Sequence, residues 1–147
     1  MSLPPGDRSL PTPENPGGGP QVQLIRTYGP GRFNIAGREW REPVLVTPTA
    51  TFPWPVTRAE ELTLETLAPL KLAPEGQAQW PTELLVLGCG VRAIFVASGV
   101  RAALKSAGMA LEVVDTGSAC RIYNVLLAEG RRVAAALIPL QPRPARP

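Results

Sequence analysis

The side chains best suited to chemistry in this chain follow two short apolar runs. Gly88-Cys89-Gly90 comes directly after the run at 84–87, and Asp115-Thr116 comes directly after the run at 111–114. Continuous apolar runs are typical of buried parallel strands, and the ligand crevices of α/β sheets form where such strands end. The two segments therefore predict a candidate ligand pocket at the carboxyl edge of a sheet.

Cys120, Arg121 and Asn124 complete this candidate pocket, because they lie in the helix predicted to begin at Thr116. The positive end of that helix and the guanidinium of Arg121 can together hold a carboxylate or a phosphate. A cysteine in the first turn of a helix has a lowered thiol pKa and is more reactive. A small anionic ligand and a reactive thiol are the two chemical possibilities, whereas Asn124 is expected to bond a nearby backbone instead of a substrate.

Each of these residues also has a purely structural interpretation. Thr116 is the type of residue that caps a helix, and Gly88-Cys89-Gly90 reads as a tight turn, since it lacks the further residues of a nucleotide-binding loop. Both cysteines fit the pattern of small, reduced core residues. Arg121 can equally form an ion pair with Asp115 or Glu129. We favour the structural interpretation for the threonine, the turn and the cysteines, and leave both interpretations of the arginine open.

The absence of histidine excludes several classes of enzyme. Without imidazole, the chain has no Ser-His-Asp or Cys-His nucleophile and no two-histidine zinc motif. Two cysteines are too few for a four-ligand zinc or iron–sulfur site within one chain. We therefore predict no metal and no cofactor, and an enzyme is the less favoured class.

Charge and hydropathy exclude two further classes. The net charge is only +3, and basic residues alternate with acids, as in Arg38-Glu39 and Arg41-Glu42, so nucleic-acid binding is not expected. No stretch approaches the roughly 20 apolar residues that a membrane-spanning helix needs. The first twenty residues lack the apolar core of a signal peptide. We expect a cytoplasmic protein that does not span a membrane.

The pattern from 110 to 138 predicts a βαβ unit, in which a strand at 111–114, a helix at 118–129 and a strand at 133–138 follow one another closely. A third parallel strand is predicted at 84–87, in the middle of the sheet, with a helix at 98–107 after it. Right-handed crossovers are expected to place both helices on one face of the sheet. Short alternating runs predict antiparallel strands in the N-terminal third, at 22–27, 32–35, 38–40, 44–46 and 49–54.

The fold class is thus α/β, with one domain and a mixed sheet built on a parallel βαβ core. Proline and glycine dominate residues 1–20, and residues 141–147 are rich in proline and arginine. Such compositions do not support a packed core, so both ends are predicted to be disordered tails around a domain at 21–140.

The run from Asp115 to Arg131, with Leu87-Gly88-Cys89-Gly90 upstream, resembles a known domain of unknown function. That domain is shared by mitochondrial NADH dehydrogenase (complex I) assembly factor 3, the adipogenesis-associated domain protein and many small bacterial proteins. The resemblance extends over roughly 24–140. It implies a single α/β domain and, in the mitochondrial branch, a role in assembling the respiratory complex, and it brings no established catalytic residues.

Two functional hypotheses follow. The favoured one, which rests on the resemblance, is a non-enzymatic accessory or assembly-factor-like binding protein whose partners are respiratory-complex subunits or another protein. The alternative is a small-molecule or anion-binding protein, or an enzyme, that uses the strand-end crevice with Cys120 and Arg121.

Overall fold

The computed structural model describes residues 6, 8–9, 22–71 and 80–141, which form two β-sheets, two α-helices and two short 3₁₀ helices. In chain order the elements are β1 (Arg8–Ser9), β2 (Ile25–Gly29), β3 (Arg32–Ile35), β4 (Arg38–Trp40), β5 (Val44–Val46), β6 (Thr51–Pro53), the 3₁₀ helices Ala59–Glu61 and Glu65–Lys71, β7 (Leu84–Gly88), α1 (Ser98–Ser106), β8 (Ala110–Val114), α2 (Thr116–Ala128) and β9 (Val133–Leu137).

The smaller sheet is antiparallel and has the order β1-β2-β3-β4. Strand β2 runs further than the sequence pattern indicates, since the predicted strand ended at Thr27. Tyr28 pairs with Phe33 across the hairpin, and both side chains are buried, so the strand continues to Gly29. The turn is therefore confined to Pro30 and Gly31, where Gly31 has a positive φ of 72° that favours glycine.

The larger sheet has the order β6-β5-β9-β7-β8 and is mixed, as predicted. Strand β7 pairs in parallel with β8 on one side and β9 on the other, which confirms the parallel core and the interior position of 84–87. Strands β5 and β6 add antiparallel pairs beyond β9. The N-terminal strands are thus divided between two sheets, and the chain passes from one sheet to the other at 41–43, where Pro43 interrupts regular pairing.

The two helices lie on opposite faces of the larger sheet, so the prediction that both lie on one face is wrong. The side chain of Leu104 in α1 packs in one core, whereas Tyr123 in α2 packs in the other. The reason is the strand order: β8 and β9 lie on opposite sides of β7, so the chain crosses the sheet in one direction through α1 and returns through α2. Right-handed crossovers in opposite directions place their helices on opposite faces.

Successive side chains of β9, the central strand of the larger sheet, point alternately into the two cores. Val133, Ala135 and Leu137 face the core that contains α2 and the smaller sheet, while Ala134 and Ala136 face the core that contains α1. The first core also includes Ile25, Tyr28, Phe33, Ile35, Trp40, Ala119, Cys120 and Tyr123. The second is completed by the segment from Trp54 to Leu70, which covers the α1 side. Helix α2 thus packs against both the larger and the smaller sheet.

The predicted tails fall almost wholly outside the described residues. Within the first twenty positions, Arg8–Ser9 pairs with Tyr28 and Thr27 as a two-residue strand, a feature that the tail prediction did not contain. Within the described part of the chain, no helix is long and apolar enough to cross a membrane.

Candidate functional site

Thr116 joins the ends of three strands at the carboxyl edge of the larger sheet. Its hydroxyl accepts a hydrogen bond from the Gly90 N–H at 2.8 Å and donates one to the Ile138 carbonyl at 2.6 Å. The Thr116 N–H in turn donates to the Gly90 carbonyl at 2.8 Å. The side chain is fully buried. Its hydrogen-bonding capacity is therefore used to hold β7, β9 and α2 together.

The glycines of the predicted turn permit a close approach within the chain itself. A Cβ on Gly88 would lie 2.9 Å from Leu137 Cδ2, a distance that real Cβ atoms essentially never show, and 3.0 Å from Ala119 Cβ, which is tighter than most real Cβ contacts. Gly90 has open space around it but a φ of +94°, which favours glycine. These two glycines let α2 pack onto the strand end and let the chain turn away from it, which matches the structural interpretation of the turn.

Asp115, and not Thr116, is the N-cap of α2. Its carboxylate accepts hydrogen bonds from the Ser118 N–H at 3.1 Å and from the Ser118 hydroxyl at 2.6 Å. The hydroxyl bond from Ser118 is the main reason that the pKa of Asp115 is lowered, and the charge of Arg121 adds to it. The carboxylate is thus ionised at neutral pH and satisfies the Ser118 amide, one of the exposed amides at the start of the helix.

Arg121 is exposed, and its hydrogen bonds go to hydroxyl groups. Its Nη1 donates to the Tyr28 hydroxyl at 3.2 Å, and its Nη2 donates to Ser118 Oγ at 3.1 Å. A chain of polar groups therefore runs from Asp115 through Ser118 and Arg121 to Tyr28. Sequence reasoning missed both hydroxyls; Ser118, three residues after the cap, has a recognisable spacing, whereas nothing local marked Tyr28.

The two cysteines are free and lie in different cores. Cys120 is fully buried on the α2 side, while Cys89 is half-buried and packs against the α1 side. Burial raises the pKa of both thiols, most strongly that of Cys120, where it outweighs the helix dipole. The structure thus argues against the reactive-thiol alternative. In the described ranges, no group of three or more acidic or cysteine side chains could hold a metal ion.

Asn124 connects α2 to the smaller sheet. Its Oδ1 accepts from the Ile25 N–H at 3.1 Å, and its Nδ2 donates to the Ile25 carbonyl at 2.9 Å. The side-chain amide thus pairs with both backbone groups of Ile25, and Asn124 is buried. Tyr123 beside it is also buried, with its hydroxyl 2.8 Å from the Gln23 carbonyl. Of the residues predicted to form the pocket, Asn124 and Cys120 are instead buried where α2 packs against the rest of the domain.

An open cavity of about 720 Å³ lies beside the strand ends but is lined by other residues. Its walls come from the turn after β2 and from residues 138–141, and they include Arg32 and Arg41. Arg41 forms an ion pair with Glu39 at 3.2 Å. None of the predicted pocket residues lines this cavity, and no sequence pattern pointed to it.

A known class of fold matches this arrangement. A Bordetella pertussis protein described as a Mth938-like domain superimposes with a TM-score of 0.71, at 26% sequence identity, covering 88% of this chain and 94% of that one. The fold is therefore that of a small, Mth938-like α/β domain. The chain belongs to the family described as protein of unknown function (DUF498/DUF598), whose model matches residues 25–138.

Two relatives illustrate the range of that family. An uncharacterised protein of Rhodobacter capsulatus is 40% identical over 116 residues, which cover 79% of this chain and 84% of that protein. A Danio rerio protein named NADH dehydrogenase [ubiquinone] 1 alpha subcomplex assembly factor 3 is also 40% identical over 116 residues. That match covers 79% of this chain but only 64% of the Danio rerio protein.

Proposed function

We propose that this protein is a non-enzymatic accessory factor that helps to assemble respiratory NADH dehydrogenase, complex I, by binding its subunits. The observation that carries the proposal is the 40% identity to the Danio rerio assembly factor. Because more than a third of that relative lies outside the match, its activity as a whole is transferred here only as part of the proposal.

The geometry of the strand ends supports binding over catalysis. Thr116 and Asn124, the two buried polar side chains of the predicted pocket, spend their hydrogen bonds on the chain's own backbone. Cys120 is covered and protonated at neutral pH. A catalytic site needs side chains that are free to touch a substrate. Binding of a partner protein does not require Thr116, Asn124 or Cys120 to be free.

Capture from detergent-solubilised membranes, under reducing conditions, tests this proposal. Tagged protein should enrich NADH dehydrogenase subunits over the subunits of other respiratory complexes, as quantified by mass spectrometry. A variant carrying Arg121→Ala and Asp115→Asn changes the exposed part of the crevice, and we expect it to capture the same subunits. Cells that lack the protein should accumulate partly assembled complex on native gels.

The same experiment distinguishes the assembly role from the alternative, a small-molecule site in the strand-end crevice. If the protein captures a metabolite that the crevice variant loses, and no NADH dehydrogenase subunit is enriched, then the crevice around Arg121 is a ligand site and the assembly proposal is wrong. The predicted cytoplasmic location stays a prediction, which cell fractionation can check.

A further inference from the structure

Strand β8 forms one edge of the larger sheet and leaves part of its backbone unpaired. Strand β7 lies on one side of it, and within the described residues no strand lies on the other. The Ala110 N–H and the Val114 carbonyl both form hydrogen bonds toward β7, at 2.9 Å and 3.0 Å. Because the backbone groups of a strand point alternately to its two sides, Leu111 and Val113 direct their N–H and C=O groups to the open side. Such an edge can pair with a further extended chain.

A cavity of about 470 Å³ lies beside the amino end of this open edge. Its walls include Ala110 and Leu111 of β8, together with Arg101 and Lys105 of α1. Both cationic side chains are exposed, and neither forms an ion pair or a hydrogen bond within the described residues. The helix dipole favours a cation at Lys105, in the last turn, but not at Arg101, in the first half of the helix. Two neighbouring positive charges thus face the cavity without an acid of their own.

Glu83, the acidic side chain of this cavity, is engaged by other arginines. Its carboxylate accepts a hydrogen bond from Arg131 Nε at 3.1 Å and another from Arg132 Nη2 at 3.4 Å. The hydrogen bond from Arg131, and the charges of both arginines, hold the pKa of Glu83 below its usual range. Since this single carboxylate is shared by two arginines, the cavity keeps an excess of positive charge.

The charge at the middle of β8 disfavours a second copy of the chain as the added strand. Glu112 is exposed there, between Leu111 and Val113. If two β8 strands paired antiparallel over their full length, Glu112 would lie directly opposite its counterpart. Like charges at opposing positions of a strand pair are destabilising. The open edge therefore favours a different chain, one that carries its acidic group at the cavity and not opposite Glu112.

We propose that β8 binds an extended segment of another protein, which joins the larger sheet as an antiparallel strand and places a carboxylate in the cavity beside Arg101 and Lys105. An antiparallel strand ends next to the amino end of β8, so the carboxylate belongs at the carboxyl end of the bound segment. It is either an aspartate or glutamate side chain or the terminal carboxylate itself. Main-chain hydrogen bonds to Leu111 and Val113 supply affinity, and the two cations select the acid. This inference does not rest on the proposed assembly role.

Titration of the isotope-labelled full chain with synthetic peptides, followed by nuclear magnetic resonance, tests the proposal. The probe is a short peptide of alternating threonine and valine that ends in a pair of aspartates. In the free protein the amides of Leu111 and Val113 should exchange rapidly with solvent, and the peptide should slow both. The amide of Glu112 faces β7, so it should be protected with or without the peptide.

Changes to the peptide separate its acid from its backbone. Asparagine in place of aspartate should weaken binding by about fivefold for each charge removed, which is the strength of a contact ion pair in water. A version with aspartates and an amidated end, and a version with a free carboxylate and no aspartate, distinguish the two sources of the acid. Methylation of one alternate set of peptide nitrogens should weaken binding at least fivefold, because it removes the hydrogen bonds to β8. Methylation of the other set, which faces solvent, should not.

Variants of the protein test the same two contacts. Arg101→Gln with Lys105→Gln should weaken binding by about fivefold for each charge removed. Arg26→Gln with Arg92→Gln removes the same charge from exposed positions elsewhere and should leave binding unchanged. Val113→Pro removes an N–H that faces the open edge and no hydrogen bond of the sheet, so it should lose the peptide while circular dichroism stays the same.

Several results would contradict the proposal. It is wrong if the acidic peptide does not protect Leu111 and Val113, or if the asparagine peptide binds equally well. Equal binding of the two methylated peptides would show that no strand is added. If the protein dimerises in sedimentation and Val113→Pro is monomeric, the edge pairs with a second copy and the assignment to another protein is wrong. Purified protein and synthetic peptides suffice for these measurements, so a failure to capture complex subunits would remove the assembly role alone.

Discussion

Replacing Thr116 by valine should lower the free energy of unfolding by about 2–4 kcal/mol, because the change keeps the shape of the side chain and removes its hydroxyl. The Gly90 N–H would lose its acceptor, and the Ile138 carbonyl would lose its donor. A buried polar group left without a partner costs about 1–3 kcal/mol. Ile138 is only half-buried and its carbonyl can recover a water, so we expect the two losses to sum below their maximum.

Thr116→Ser is the matched control, since it keeps the hydroxyl and loses one buried methyl group, which costs about 1 kcal/mol. Urea unfolding followed by far-UV circular dichroism gives both free energies. For a domain of this size the valine variant should melt roughly 10 °C lower than wild type, and the serine variant only a few degrees lower. Hydrogen exchange at the Gly90 amide should become faster in the valine variant alone.

The relative stabilities of Thr116→Val and Thr116→Ser test whether the hydroxyl is responsible. If Thr116→Val is as stable as Thr116→Ser, or more stable, then the hydroxyl does not hold the strand ends together. The threonine would in that case contribute through apolar packing only.

Three further predictions follow from the site. Asn124→Ala should cost about 2–4 kcal/mol in urea unfolding, because both backbone groups of Ile25 lose their partner; a loss well under 1 kcal/mol would contradict that role. Alkylation at neutral pH should modify Cys89 before Cys120, since burial raises both thiol pKa values and covers Cys120 completely; peptide mass spectrometry identifies the site, and rapid labelling of Cys120 in the folded protein would contradict the structure. The lowered pKa of Asp115 means that its charge stabilises the fold above the unfolded-state pKa of about 3.9, and that this contribution is lost as the pH falls through the folded-state pKa. Asp115→Asn should therefore lose less stability than wild type on acidification below about pH 4, and identical acid-unfolding curves would argue against this contribution.

Local patterns predicted the elements of the larger sheet because those signals are short-range. The apolar run at 84–87 and the spacing from Leu111 to Gly130 each specify an element with its ends, and the structure places β7, β8, α2 and β9 there. Strand order is a different kind of information, since it depends on which pairing buries more of the chain. The sequence therefore predicted the parallel core but not the opposite faces of the two helices.

The same distinction applies to the candidate site. Asp115 and Thr116 are both good capping residues next to each other, and only the distant Ile138 carbonyl draws the threonine hydroxyl away from the helix. The contact between Asn124 and Ile25 joins residues 99 positions apart, and no local pattern encodes it. Burial of Cys120 likewise depends on the smaller sheet that covers α2. Sequence located the strand ends, but long-range packing decided what their side chains do.

The position of β9 has a consequence for how the protein is made. Strand β9 lies at the centre of the larger sheet and is synthesised after the other described strands of that sheet. Strands β5 and β7 join the same sheet through its residues 133–137. Until those residues emerge, the chain holds two separate strand pairs that each expose an open edge. We therefore expect the larger sheet to close only once residues 133–137 are available, and ribosome-bound chains arrested before Val133 should be cleaved readily by protease, whereas chains that include β9 should resist it.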